Sequence, residues 1–291
     1  MALALQVMIL LAIAQSSDSY AYGWTELAAH STWPGAWAIF AALLMAAAYS
    51  AALRFRGREE KRAPIGFFAL GLAVWVVALS GPLEGLALDR LYSAYILQQI
   101  LLVLVVCPLL LAGLQGWMLR PLLSWPPVRH GFAMLTRPGV AFFVFVAVFS
   151  VIHVPVVCNL VCQVHHFYHT VRISLFLAGL LLWWPLLSPL SEFPRLSQPM
   201  QALYLLAVML AMSAVAAPIT FAESVLYHFY IGDPHPLGLS ALVDQEIGGL
   251  LMWVVQGLIL TTIASVIFVR WLSGAPPGLE VRAAGSSQSR Q

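Results

Sequence analysis

The sequence predicts an all-α, polytopic membrane protein whose core is a bundle of seven transmembrane helices. The chain is 61% apolar and only 9% charged, with a mean hydropathy of +0.88, whereas soluble domains are about 45–50% apolar and about 25% charged. Seven stretches also approach the roughly 20 apolar residues that cross the hydrocarbon core of a bilayer. They are residues 35–54, 65–82, 95–114, 139–156, 170–190, 201–221 and 247–269.

The distribution of Lys and Arg indicates how these helices are oriented. Twelve of the fourteen basic residues fall in alternate loops or in the C-terminal segment, and they are Arg54, Arg56, Arg58, Lys61, Arg62, Arg120, Arg129, Arg137, Arg195, Arg270, Arg282 and Arg290. Short loops that are rich in Lys and Arg remain in the cytoplasm. The pattern therefore predicts that the N-terminus lies outside, that the C-terminus lies inside, and that the chain is a multi-pass protein of the cell membrane.

The two ends of the chain differ from this membrane domain. Residues 1–20 begin with an apolar run that ends in small residues before a polar stretch, which predicts a signal peptide or, as the alternative, an N-terminal anchor. Residues 273–291 are rich in Gly, Ser, Pro, Arg and Gln, which predicts a disordered cytoplasmic tail. Residues 33–272 are expected to form a single membrane domain.

Histidine and cysteine residues gather at the predicted external end of the fourth and fifth spans. Cys158, Cys162, His165 and His169 are spaced four, three and four residues apart, and this spacing places all four side chains on one stripe of a helix. The stripe is about 16 Å long at 1.5 Å per residue, so one ion could contact only some of its members. His153 lies just before a proline that is expected to bend the chain toward the same end.

Thiolate and imidazole ligands together suit copper(I) or zinc. We therefore predict that His153, Cys158, Cys162, His165 and His169 are metal ligands, and we favour copper. The secondary candidates at the same predicted face are His166, His228, Asp244 and Glu246.

Three alternatives for these residues stay open. A disulfide is compatible with an oxidising compartment, although cysteines four residues apart on a helix fit disulfide geometry poorly. The cysteines are also compatible with a role as small buried apolar residues. The two carboxylates, Asp244 and Glu246, stand at the start of the last span, where acidic side chains commonly cap a helix.

Six short motifs follow one another along the chain. They are Ser80-Gly-Pro82-Leu83-Glu84, Pro108-Leu109-Leu110, His153-Val-Pro155, His165-x-x-x-His169, Trp183-Trp184-Pro185 and Asp244-Gln245-Glu246-Ile-Gly248-Gly249-Leu-Leu-Met252-Trp253. In this order, they resemble the motifs of the CtaG family of cytochrome c oxidase assembly factors, which are seven-span proteins of bacterial inner membranes. The resemblance runs over about residues 33–272.

The resemblance implies an assembly factor, and not an enzyme, that serves a haem-copper oxidase. Together with the ligand chemistry, it favours copper delivery or insertion at the periplasmic face. The partners it implies are oxidase subunits, a periplasmic copper carrier and the lipid bilayer, with no role for nucleic acid.

The third predicted span departs from the family pattern. The family opens this span with His-x-x-Gln-His, and here the matching residues are Tyr95-Ile-Leu-Gln98-Gln99. Both histidines are therefore replaced, and only Gln98 is retained. The chain carries Cys158 and Cys162 where the family has no expected cysteines. If the family's histidines jointly hold a metal, this member has either lost part of that site or rebuilt it with thiols.

Other function classes fit the sequence less well. A scaffold that organises oxidase subunits without handling metal needs none of these ligands. An intramembrane metal-dependent oxidoreductase is suggested by His165-His166-x-x-His169, but such enzymes need several histidine boxes. A b-type cytochrome needs paired histidines from different helices. The third, sixth and seventh predicted spans have no histidine in their apolar cores, which argues against two stacked haems and leaves a single haem near the outer face as an alternative. A transporter would need charges near the middle of the membrane, where the sequence predicts none.

Overall fold

The computed structural model of the protein describes residues 35–56, 62–89, 91–163, 165–231 and 238–274. At residues 55–56, 62–63, 89, 161–163 and 165–167 it describes the backbone and not the side chains. The predicted N-terminal segment 1–20 and nearly all of the predicted tail lie outside the described residues. Every regular element within these ranges is helical, which confirms the predicted all-α class.

The described chain forms thirteen α-helices. They are α1 Ala36–Arg56, α2 Arg62–Leu79, α3 Pro82–Asp89, α4 Tyr92–Leu101, α5 Cys107–Gly113, α6 Gly116–Leu123, α7 Pro126–Leu135, α8 Pro138–His153, α9 Pro155–Gln163, α10 His165–Leu187, α11 Gln198–Thr220, α12 Ala241–Leu250 and α13 Gln256–Leu272. A π-helical turn, Leu102–Val106, joins α4 to α5, and a second one, Leu251–Val255, joins α12 to α13. A short 3₁₀ turn, His228–Tyr230, lies in the loop before α12.

Five helical stretches are long and apolar enough to cross a membrane. They are Ala36–Arg54, Tyr92–Gly113, Tyr168–Leu187, Gln198–Thr220 and Ala241–Leu272. Two bent pairs, α2 with α3 and α7 with α8, pass the same test only when each pair is taken together. The described residues therefore hold five candidate spans, or up to seven, so the predicted number is the upper end of this range. The orientation of the chain stays a prediction.

The bends occur where the sequence places glycine or proline. The bend of 48° between α2 and α3 passes through Gly81, whose φ of +72° is costly for residues that carry a Cβ. The bend of 74° between α7 and α8 passes through Arg137, which is extended because it precedes Pro138. Helix α8 ends at His153 for the same reason, since the next residue precedes Pro155 and is also extended.

The third predicted span, α4 to α5, forms the centre of the bundle. Two thirds of its apolar window, 67%, is buried inside the protein, compared with 17% for α1 at the periphery. Helix α4 packs against α12, α5 packs against α2 and α10, and α11 packs against α13. Residues on this central span therefore have the most opportunity to contact buried polar groups from other helices.

Two adjacent glycines allow α12 to approach its neighbours closely. A Cβ on Gly248 would lie 2.6 Å from Cδ1 of Tyr92 in α4, and a Cβ on Gly249 would lie 2.9 Å from the Cα of Thr220 in α11. Real side chains do not tolerate such distances, so these two positions accept glycine only. This supports the packing role that the sequence suggests for the pair.

We expect Gly249→Ala to destabilise the protein, because the new methyl group would collide with the backbone of Thr220. Overpacking of this kind typically costs about 1–3 kcal/mol. Gly257→Ala is the matched control, since a Cβ there would lie 3.9 Å from Cγ of Met209, an ordinary contact. The midpoint of thermal unfolding in detergent measures both. Equal midpoints for the two variants would contradict the close packing of α12 on α11.

Candidate functional site

His153, the last residue of α8, is a buried histidine. Only one of its two ring nitrogens has a hydrogen-bond partner among the described residues. Its side chain is only 3% exposed, and Nδ1 lies 2.6 Å from the carbonyl oxygen of Phe149. A carbonyl only accepts, so Nδ1 carries the proton and donates it. Nε2 then holds a lone pair and has no hydrogen-bond partner among the described residues. Histidine metal ligands are commonly oriented in this way, by a hydrogen bond from the other ring nitrogen.

Cys158 follows on α9, beyond the proline break. Its side chain is 2% exposed and takes no part in a disulfide. The hydroxyl of Tyr227 connects this region to α8, because it donates to the carbonyl oxygen of His153 at 2.9 Å. Burial raises the pKa of Tyr227, and the nearby Cys158 thiol raises it further. Tyr227 therefore stays neutral and remains a hydrogen-bond donor.

The structure describes only one of the other predicted ligands together with its side chain. His169 is half-buried on α10, and its ring centroid lies 5.0 Å from that of Trp37 in α1. The side chains of Cys162, His165 and His166 lie outside the described residues. Among the side chains that are described, no three or more His, Cys, Asp or Glu residues form a group that could hold a metal ion.

Two of the secondary candidates, His228 and Glu246, lie nearer the surface. His228 is exposed on the 3₁₀ turn, and Glu246 is half-buried on α12.

The third, Asp244, is fully buried and caps a neighbouring helix. Its carboxylate accepts hydrogen bonds from the backbone N–H of Tyr92 at 2.6 Å and from that of Ser93 at 3.2 Å, and also from the Ser93 hydroxyl. These are orphan donors at the N-terminus of α4. Helix α12 has its own cap, because the hydroxyl oxygen of Ser240 accepts from the N–H of Val243. Asp244 therefore ties α12 to the central span.

The loop that carries Tyr227 is held from two sides. Oε1 of Gln245 accepts from the N–H of Leu226 at 2.7 Å. On the other side, the amide of Asn159 in α9 donates to the carbonyl of Leu226 and accepts from the N–H of Phe229, each at 3.1 Å. The sequence analysis did not single out Asn159, although an amide between Cys158 and an apolar residue needs partners when it is buried in part.

A buried ion pair lies between α3 and α10, and the sequence analysis missed it. Glu84 is 0% exposed and Arg172 is 3% exposed. The guanidinium of Arg172 donates to Glu84, to Oε1 of Gln98 and to the Tyr168 hydroxyl, and it also lies 4.1 Å from the centre of the Tyr168 ring. The amide of Gln98 donates to Glu84 at 2.8 Å and to the carbonyl of Ala78 at 2.7 Å.

In the sequence, Glu84 stands out only as the last residue of a family-like motif. Arg172 was the signal in the sequence that could have indicated the buried ion pair. It follows Tyr168 by one helical turn, at the start of an apolar run. An arginine in such a position needs a buried partner.

The two positions where the family pattern has histidine are inside the bundle. Tyr95 is 2% exposed, with its ring centroid 6.1 Å from that of Tyr168 and 6.3 Å from that of Tyr230. Gln99 is 6% exposed, and neither atom of its amide meets a hydrogen-bond partner among the described residues. Buried polar side chains are rarely left unsatisfied. The unsatisfied amide of Gln99 therefore destabilises the central span.

We expect Arg172→Met to destabilise the protein by about 3–5 kcal/mol, because it leaves the Glu84 carboxylate buried without its cation. The double variant Glu84→Gln/Arg172→Met removes both charges and should be less destabilised than Arg172→Met alone. Arg120→Gln is the control, since it breaks an exposed pair with Glu192 (3.1 Å) and should cost at most about 1 kcal/mol. Thermal unfolding in detergent measures all three. A double variant destabilised as much as Arg172→Met alone, or more, would contradict the pairing.

Asp244→Ala should likewise destabilise the protein, by about 1–3 kcal/mol, because it leaves the buried N–H groups of Tyr92 and Ser93 without acceptors. Glu246→Ala, two residues later on the same helix and only half-buried, serves as the control. Unfolding midpoints again supply the comparison, and an effect of Glu246→Ala as large as that of Asp244→Ala would refute the capping role.

Known protein families include one that matches this chain. A family model described as cytochrome c oxidase caa3 assembly factor matches residues 47–274, which is well over half of the chain. No curated protein and no solved structure matches the chain.

Proposed function

The chain belongs to the family of cytochrome c oxidase caa3 assembly factors, and we propose that it holds copper(I) at the external face of the membrane and transfers it to the oxidase during assembly. Copper is cargo in this proposal, and the chain carries out no chemical conversion of its own. The proposed partners are oxidase subunits and a periplasmic copper carrier. The proposed location is a bacterial inner membrane, with the site facing the periplasm.

The observation that carries the proposal is the state of His153. Its Nδ1–H is engaged by a backbone carbonyl, and its buried Nε2 meets no partner among the described residues. A buried nitrogen lone pair without a donor is costly to maintain unless a ligand satisfies it. Five residues later, the reduced thiol of Cys158 supplies the soft ligand that copper(I) prefers.

The surrounding hydrogen bonds would keep these two residues in place on either side of the proline break. Tyr227 fixes the end of α8 through the carbonyl of His153, and Asn159 fixes the start of α9 to the same loop. Cys162, His165 and His169 complete the proposed ligand set, with His166 as a further candidate. A site assembled from two short helices and a loop can change its coordination more easily than one on a single rigid helix, which suits transient binding.

Copper binding to the purified protein tests the proposal directly. Protein in detergent, kept reduced and challenged with copper(I), should retain about one copper per chain. His153→Ala and Cys158→Ser/Cys162→Ser should each lose most of it, because each removes a proposed ligand. Cys107→Ser is the matched control, since Cys107 is a buried thiol of the central span that contacts the carbonyl of Phe176. The absence of copper in the parent protein, or equal loss in the control, would refute copper binding at this site.

A scaffold that assembles the oxidase without handling copper is the second candidate function. The replacement of both family histidines by Tyr95 and Gln99 favours it. Complementation of a strain that lacks the assembly factor separates the two. Under the copper proposal, Cys158→Ser/Cys162→Ser and His165→Ala/His169→Ala should not restore oxidase activity unless excess copper is supplied. Full restoration without added copper would favour the scaffold.

A further inference from the structure

The helices α6 and α7 connect the third and fourth predicted spans and do not belong to the buried core. Neither helix contains a buried residue. The axis of α7 makes an angle of 74° with that of α8. Transmembrane helices tilt by about 20° on average from the membrane normal. If α8 crosses the bilayer with such a tilt, α7 lies closer to the plane of the membrane than to its normal.

Helices α6 and α7, together with the turn that joins them, expose large apolar side chains. Leu122 is 64% exposed, Trp125 is 65% exposed and Met134 is 56% exposed. On another side of α7, Phe132 packs against Trp184 of α10 with ring centroids 4.8 Å apart, and this contact fixes the helix to the bundle. A short amphipathic helix with exposed Trp and Leu side chains is typical of segments that lie in the headgroup region.

Basic residues accompany these apolar side chains. Arg120 pairs with Glu192 at 3.1 Å, but Arg129 and Arg137 are exposed and form no ion pair with any described residue. Arg129 and His130 line an open cavity of about 330 Å³ at the start of α7, and its other lining residues are Ser124, Pro126 and Ala133. The cavity has cationic and imidazole donors on its walls and no carboxylate.

We propose that α6 and α7 lie in the interface of the bilayer and that the cavity binds the phosphate of an anionic phospholipid. The guanidinium of Arg129 matches a phosphate group because its donors form a planar fork that can bind two oxygens. His130 supplies a further donor, and Trp125 places the cavity at headgroup depth. The lipid is favoured over a soluble anion because exposed apolar side chains lie beside the cavity and would contact the acyl chains.

Native mass spectrometry of the full chain tests the binding site. Phosphatidylglycerol titrated into detergent-solubilised protein should bind more tightly than phosphatidylcholine, and Arg129→Gln/His130→Gln should weaken its binding about tenfold. Arg54→Gln is the matched control, because it also removes one exposed cation, at the end of α1 and outside the cavity. Equal weakening in the control, or equal binding of the two lipids, would overturn the proposal. Displacement of the lipid by millimolar inorganic phosphate would indicate a soluble anion as the ligand.

Fluorescence quenching in vesicles tests the depth of the helices. Lipids brominated near the headgroup should quench the parent protein more than Trp125→Phe, because Trp125 should lie within reach of the bromine atoms. Trp75→Phe serves as the control, since Trp75 on α2 is only 4% exposed and donates to the carbonyl of Ala38 in α1 at 3.0 Å. Unchanged quenching in Trp125→Phe would place the two helices in water and overturn the interfacial arrangement.

Discussion

Arg172 cannot be separated from Glu84 without leaving an unpaired charge inside an apolar bundle, and this constraint holds several helices together. The guanidinium contacts Glu84 on α3, Gln98 on α4 and Tyr168 on its own helix, while Gln98 extends the network to the end of α2. Burial of a charge is expensive, but loss of one partner is more expensive still. The network therefore specifies one arrangement of these helix ends, because alternatives leave a charge uncompensated.

A group of buried tyrosines connects this ion pair to the proposed copper site. Tyr168 packs near Tyr95, and Tyr95 packs near Tyr92, with ring centroids about 6 Å apart in both pairs. Tyr92 stacks on Tyr227 at 4.1 Å, and Tyr227 donates to the carbonyl of His153. Aromatic pairs in these geometries contribute beyond their buried area. A continuous series of contacts therefore runs from Arg172 to the carbonyl oxygen of His153.

The last family motif has mainly an architectural role in this chain. Asp244 caps the central span, Gln245 holds the loop that carries Tyr227, and Gly248 and Gly249 allow close contact with two other helices. A motif rich in polar residues at the end of a span suggests a ligand site when only the sequence is considered. In the structure the same residues satisfy backbone groups that would otherwise be buried without partners.

The sequence by itself determined the all-helical membrane class, the approximate spans and the break before Pro155, because bilayer thickness and proline geometry act on local stretches of chain. The order of its short motifs also indicated the family. Only the tertiary structure decided which polar residues meet. Asp244 caps a helix that begins 152 residues earlier, and Arg172 pairs with Glu84 across 88 residues. No periodicity or spacing encodes such contacts, because they depend on how the helices pack. For the same reason, the burial of Glu84 and Arg172 became visible only in the packed structure.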